Sequence, residues 1–294
     1  MLNSKNQNNN FMVKEDQSAG NLLRKRSSET LRVLSVKEKE WLAGIIDGGG
    51  CFEIQVINNK RVLKCISITQ SIRDARILYR VKDLLKEGSI KSKNIKVLRY
   101  RISTKEGMAR LINYINGNIR IKIPGFLDAC KFLDILFIKA PKKIVKDSCY
   151  LAGLIDIDGS IIFNYPGNRI EVHLEFKQNK YTELLDFSSV IENTVPKIYK
   201  YKKRNQSFNK IFYSIRFSFD NITHMLPIYY YLKKNRLFSD FKFFRGMQIK
   251  TFLFIRSYKH YPKDSYEYLG YKKFLIKFFI YLNTHKPLPK YLSN

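Results

Sequence analysis

WLAGIIDGGGCFEI, Trp41 to Ile54, and YLAGLIDIDGSIIF, Tyr150 to Phe163, together decide the architecture of this chain. The second stretch repeats the first in register at six of fourteen positions: Leu42-Ala43-Gly44 returns as Leu151-Ala152-Gly153, Ile46-Asp47 as Ile155-Asp156, and Gly50 as Gly159. One substitution matters most, because Asp158 stands where the first copy carries Gly49. Each stretch is an apolar run that meets an acid and then glycine. Glycines end helices because they lose helix propensity and cap well, so each copy reads as a helix that turns directly into a strand.

The same order of signals follows both copies, which makes the chain an internal duplication. In the first half CFEIQVI, a turn at Asn58-Asn59 and RVLKCISITQ read as a hairpin. DARILYRVKDLLKEG then reads as an amphipathic helix ending at Gly88, SIKSK and KVLRYRIS as a second hairpin, and KEGMARLINYING as a second helix. In the second half the series is SIIFNY, a turn at Pro166-Gly167-Asn168, RIEVHLEFKQ, and TELLDFSSVIENT as a helix. KIYKYKK and IFYSIRFSF follow as a hairpin with the basic loop KRNQSFNK, then ITHMLPIYYYLKK and DFKFFRGMQIKTFLFIR as helices. The expectation is an α+β fold of two αββαββα units at residues 35–140 and 141–260. A flexible basic tail precedes them at 1–34, and a helical extension follows at 261–294.

Composition narrows the function. Among 294 residues, 54 Lys and Arg against 25 Asp and Glu leave a net charge of +29, a self-repulsion that a polyanion relieves. Nucleic acid is the leading partner and an anionic membrane surface the competitor. No apolar run approaches the roughly 18 residues of a spanning helix. Cys51, Cys65, Cys130 and Cys149 stand singly, without zinc-finger spacing, and read as small buried residues in a reducing compartment. His173, His224, His260 and His285 are too scattered for a catalytic triad, and Gly48-Gly49-Gly50 lacks the Lys-Ser/Thr of a phosphate loop. In the tail, Glu15 and Asp16 argue against a transit peptide while Arg24, Lys25 and Arg26 keep that reading open beside a basic arm. Usage rich in Lys, Asn, Ile, Phe and Tyr hints at an AT-rich organelle genome.

Two helices carrying Ala43-Gly44 and Ala152-Gly153 can approach through their small faces. Their ends would then emerge together on a pseudo-twofold axis, and acids there would become neighbours. Paired carboxylates are what hard divalent cations require for phosphodiester hydrolysis.

The doubled motif resembles the LAGLIDADG homing endonucleases in their single-chain, two-motif form, over roughly residues 36 to 255. The resemblance implies two saddle-shaped antiparallel sheets lying along a DNA major groove, with the motif helices forming the interface. Ala43, Gly44 and Asp47 with Ala152, Gly153 and Asp156 would make that interface. It also implies Mg²⁺ or another divalent ion held by the second acid of each motif. Asp158 matches that acid, the carbonyls of Gly48 and Ile157 match the main-chain donors, and Gly49 stands at the position of the missing carboxylate. Gln70 and Gln178 match a polar residue that orients water near the metals. Lys122 resembles the family's solvent-network lysine; in the second half no residue aligns cleanly, and Lys242 is the nearest candidate.

Period-two alternation on the strands nominates the groove-facing residues. In the first half these are Glu53, Gln55, Arg61, Lys91, Lys93, Arg99 and Arg101. In the second they are Asn164, Arg169, Lys177, Lys200, Lys202 and Arg216, with Glu171, His173, Glu175 and Ser214 beside them. Three functional readings follow. The first is a DNA-binding descendant of a site-specific double-strand endonuclease, with cleavage impaired at Gly49. The second is an RNA-binding protein, either a group I intron maturase or a component of a ribonucleoprotein such as the mitochondrial ribosome. The third is an active enzyme in which Gly49 is an introduced change. All three describe a pseudo-symmetric monomer in the mitochondrion, off the membrane.

Overall fold

The computed structural model describes residues 33–57, 59–205, 210–281 and 287–292. The tail at 1–32, Asn58, the centre of the KRNQSFNK loop and His285 lie outside the described residues. From Leu34 onward the chain is one compact unit.

Helix α1 spans Val36–Gly49 and opens with a capping box: the Ser35 hydroxyl accepts from the Glu38 N–H while the Glu38 carboxylate accepts from the Ser35 N–H. It runs without a break into β1 (Gly50–Ile57), which pairs with β2 (Lys60–Ser71). Helix α2 (Ala75–Leu85) ends at Lys86, a left-handed residue with φ 52°, and Gly88 at φ 82° turns the chain into β3 (Ser89–Asn94). Strand β4 (Val97–Ile102) completes an antiparallel sheet of order β1-β2-β4-β3. Helix α3 (Lys105–Ile115) follows, and then α4 (Ile123–Phe132), which the periodicity of the sequence does not announce.

The second half repeats the plan. Helix α5 (Cys149–Ile157) leads into β5 (Ser160–Asn164) and β6 (Arg169–Lys177). Strands β7 (Lys197–Asn205) and β8 (Lys210–Phe219) complete a sheet of order β5-β6-β8-β7. One expected helix is missing: TELLDFSSVIENT forms only a 3₁₀ turn at Thr182–Leu184. Its backbone has other partners. The Asp186 carbonyl accepts from the Ile144 N–H of the inter-unit segment, and the Asp186 side chain accepts from the Ser188 N–H. Short polar side chains that capture nearby backbone groups compete with the helix. The buried Leu185, Phe187, Val190 and Ile191 still face the core, so the segment keeps its packing role without helical form. Helices α6 (Ile222–Lys234), α7 (Asp240–Ile255) and α8 (Tyr266–Ile280) close the chain.

The two motif helices cross at their glycines. A Cβ built on Gly44 would meet the Tyr150 carbonyl oxygen at 2.3 Å, and one on Gly153 would meet the Trp41 carbonyl oxygen at 2.2 Å. Any side chain there would hold the backbones apart, which is the physical reason both copies keep Ala-Gly. Leu42, Ile45, Ile46, Leu151, Leu154 and Ile155 are fully buried around this crossing.

Candidate functional site

The ends of α1 and α5 emerge side by side, held there by an exchange of hydrogen bonds. Asp47, fully buried in α1, accepts from the Tyr150 hydroxyl of α5 at 2.7 Å and from the backbone N–H groups of Arg120 and Lys122. Asp156 in α5 mirrors it, accepting from the Trp41 indole of α1 at 2.8 Å and from the N–H groups of Phe238 and Ser239. Each acid therefore ties its own helix end to its own unit's following loop and to the other unit's helix. Burial raises the Asp47 carboxyl above its ordinary range against these donors, and raises Asp156 to about 6. Trp41 and Tyr150 were not singled out from the sequence. The signal was present, since both stand immediately before Leu-Ala-Gly in their copies.

Beyond these acids the halves diverge. Asp158 caps α5 and reaches solvent at the rim of a cavity of about 280 Å³ that Gln70, Ser71, Arg73, Asp74, Lys242 and Arg245 also line. Desolvation raises its carboxyl, opposed by Lys242 and Lys122, while Glu175 adds to the rise. At the matching position in the first half Gly49 offers nothing. The main-chain oxygens nearby are already engaged: Lys122 Nζ donates to the carbonyls of Gly48 and Gly50, and Gln70 Nε2 donates to the Ile157 carbonyl at 3.0 Å. Lys242, 8% exposed, donates to the carbonyls of Ile155 and Asp156 at 2.9 and 2.7 Å; like Lys122 it is a buried lysine at the end of a motif helix, but it holds carbonyls equivalent to those of Ile46 and Asp47 and not of Gly48 and Gly50. Burial lowers both ammonium groups from the usual lysine range.

Gln178 goes elsewhere. Its side-chain amide donates to Glu183 at 2.7 Å, and strand register explains the asymmetry. Cys51 and Ser160, equivalent in the two motifs, pair with Ser67 and His173, so the register counterpart of Gln70 is Phe176. The donor set is poor for the paired divalent ions that the resemblance implies. Of the two equivalent motif positions only Asp158 carries a carboxylate, and among the described residues no group of three or more His, Cys, Asp and Glu gathers to hold a metal. The residues present do not fit that pair.

The open faces of the sheets, turned away from the helices, supply the charge. In the first sheet Ser67 pairs with Arg101, Thr69 with Arg99, and Lys91 with Arg99, all on the face opposite the buried Ile66, Ile68 and Tyr100. Glu53 shares this face, accepting from Ser67 at 2.8 Å, and Gln55 lies further along it. Lys93 sits at a register shift between Ser92 and Asn94. Arg61 does not belong to this face. A bulge leaves Lys64 unmatched between the pairs Glu53–Cys65 and Ile54–Leu63, which inverts the parity of β2 beyond it. Arg61 consequently lies on the helix side and pairs with Asp128 of α4 at 3.0 Å.

In the second sheet Asn164, Arg169, Lys177 and Arg216 share the open face, while Lys200 and Lys202 do not. Tyr199 pairs with Arg216 and Tyr201 with Ser214, so Lys200 and Lys202 are turned to the opposite side and Lys200 bonds Glu183. A slip of one residue exchanges the faces of a strand. Lys197, Tyr199, Tyr201 and Lys203 are the residues β7 offers on the open side. There Arg216 lies 4.7 Å over the Tyr201 ring, and Glu175 accepts from Arg216, Lys203 and Ser214. Those donors outweigh its partial desolvation and hold the Glu175 carboxyl down at about 2.

Known proteins match this arrangement. The model of the LAGLIDADG endonuclease family covers residues 42–133. The intron-encoded RNA maturase bI4 of Saccharomyces cerevisiae is 31% identical over 205 residues, which is 66% of this chain and 31% of that protein. The intron-encoded DNA endonuclease ai2a of Dictyostelium discoideum is 27% identical over 235 residues, 79% of this chain and 71% of that protein. This chain spans about a third of the yeast maturase's length. Among solved structures, I-SmaMI bound to an uncleaved DNA target superposes with a TM-score of 0.53 at 15% identity, covering 81% of this chain and 96% of its own, a likeness of fold.

Proposed function

This chain belongs to the LAGLIDADG endonuclease family, and from that premise we propose that it binds nucleic acid along the open faces of its two sheets without cutting both strands of a duplex. The asymmetry of the two motifs, Asp158 in one and Gly49 at the equivalent position of the other, carries the reading. Double-strand cleavage by this architecture needs a charged site for each strand, and LAGLIDADG endonucleases use divalent metal ions. Removing one essential catalytic group costs on the order of 10³-fold in rate. Asp158, flanked by Lys122 and Lys242, is a single ligand, Gln70 fixes the Ile157 carbonyl beside it, and the two lysines set the charge around it. The Arg and Lys side chains of the open faces position phosphates, while Gln55, Asn164 and Glu53 present groups suited to base edges.

A second reading takes structured RNA as the working partner. The identity to an RNA maturase favours it, as does the second sheet's run of Tyr199 and the half-buried Tyr201 among Lys197 and Lys203, since rings beside cations suit unpaired bases. With either partner our reading is of a single pseudo-symmetric chain working in a mitochondrion, which the intron-encoded relatives and the residue usage of an AT-rich gene support.

Incubation with Mg²⁺ and a plasmid library of candidate sites tests the proposal. Retained binding with no linear product is expected, and robust linearisation overturns it. Competition between duplex DNA and a folded intron RNA at fixed salt decides between the partners.

A further inference from the structure

Gly49 is closed in by one side chain. A Cβ built there would lie 2.3 Å from Ile157 Cγ1 and 2.8 Å from its Cδ1, and a Cβ on Gly48 would lie 2.2 Å from Ile157 Cγ2. Carbon atoms in contact ordinarily stand about 3.5–4 Å apart. The branched side chain of Ile157 thus occupies the volume through which any side chain at 49 would leave the backbone. Ile157 is itself only 8% exposed, in the last turn of α5. A β-branched residue in a helix has one strongly preferred χ1, so it does not swing aside freely. Gly48 and Ile157 are equivalent positions of the two motifs, and the size difference between them is complementary: two residues without side chains in one half accommodate one large residue from the other.

We infer that Ile157 is a positioning residue that plugs the lost ligand position, so that a carboxylate restored at 49 alone cannot join Asp158. The inference rests on reading Gly49 as the site of a missing metal ligand. It adds that the loss is fixed sterically: the paired site returns only when Gly49→Asp is combined with Ile157→Ala.

Mn²⁺ binding to the free protein, measured by calorimetry without nucleic acid, tests this on the parent, Gly49→Asp, Ile157→Ala and the double variant. The double variant is expected to bind Mn²⁺ about tenfold tighter than the parent or more, because affinity at hard-cation sites rises with carboxylate count. Gly49→Asp alone is expected to match the parent. If the single variant tightens as much as the double, or if the double does not tighten at all, the plug is overturned. A thermal-melt cycle with Gly49→Ala keeps sterics separate from metal. Gly49→Ala is expected to lower Tm in the parent and to leave it unchanged or raise it in the Ile157→Ala background. Additive shifts overturn the proposal. This cycle stands even if plasmid linearisation by the parent shows that Gly49 does not disable cleavage, so the two ideas fail separately.

Discussion

Replacing Gly153 with alanine perturbs the interface where the two halves touch most closely. The added methyl would stand 2.2 Å from the Trp41 carbonyl oxygen and 3.1 Å from Gly44 Cα. Carbon and carbonyl oxygen in close contact settle near 3.3 Å. Both obstructing atoms are backbone, so relief requires α1 and α5 to separate by about 1 Å. The Trp41–Asp156 and Tyr150–Asp47 hydrogen bonds, 2.8 and 2.7 Å long, span this gap, and the separation would lengthen both enough to forfeit about one bond's worth of stabilisation. A buried hydrogen bond to a charged group contributes about 1.5–3 kcal/mol, and overpacking a core costs about 1–3 kcal/mol. Better helix propensity of alanine returns about 1 kcal/mol. The net expectation, with strain and one weakened bond, is a loss of about 2–4 kcal/mol. Gly270 provides the control: it lies in α8 with nothing within 4 Å of its built Cβ, so Gly270→Ala is expected to stabilise by about 1 kcal/mol. Equilibrium urea unfolding of both variants, with the slope unchanged, measures the pair. A Gly153→Ala midpoint at or above the parent's would refute the close-crossing argument.

Titration gives a second check. The Asp156 pKa is raised to about 6, so the folded state binds its proton more tightly than the unfolded chain does. The stability this group contributes is complete below about pH 4 and is lost as pH rises through 6, an amount of about 3 kcal/mol. Parent and Asp156→Asn should therefore diverge across that window in pH-dependent urea unfolding, and parallel curves would refute the assignment. On the open faces, Arg99→Ala and Arg101→Ala should each reduce the salt slope of nucleic-acid binding by about one, while Lys200→Ala leaves it unchanged. An equal effect from Lys200 would mean the face of β7 is wrongly identified. Glu175→Gln releases Arg216 and Lys203 from an acid that neutralises them, so the salt slope should steepen by about one to two. A flat response would show those cations do not meet phosphate.

How much of this was legible in advance depended on how local the cause was. Leu-Ala-Gly repeated before Asp47 and Asp156 determined the duplication, the helix-to-strand turns and the small-residue contact, because each follows from neighbours in the chain. The alternation on β1, β6 and β8 puts Glu53, Arg169 and Arg216 on the faces that the pairing also gives them, because the bulge beside Glu53 leaves its extra residue on β2 and not on β1. Arg61 and Lys200 went to the wrong face because parity is a property of pairing: the bulge at Lys64 and the partners of β7 set it, and neither is encoded in the strand alone. The helix expected at TELLDFSSVIENT was displaced by a backbone partner more than forty residues upstream. The repeat by itself aligned Gly49 with Asp158. Only the tertiary structure brought Ile157 against Gly49, because that contact joins two helix ends far apart in the chain, and their distance is set by the Gly44–Gly153 crossing.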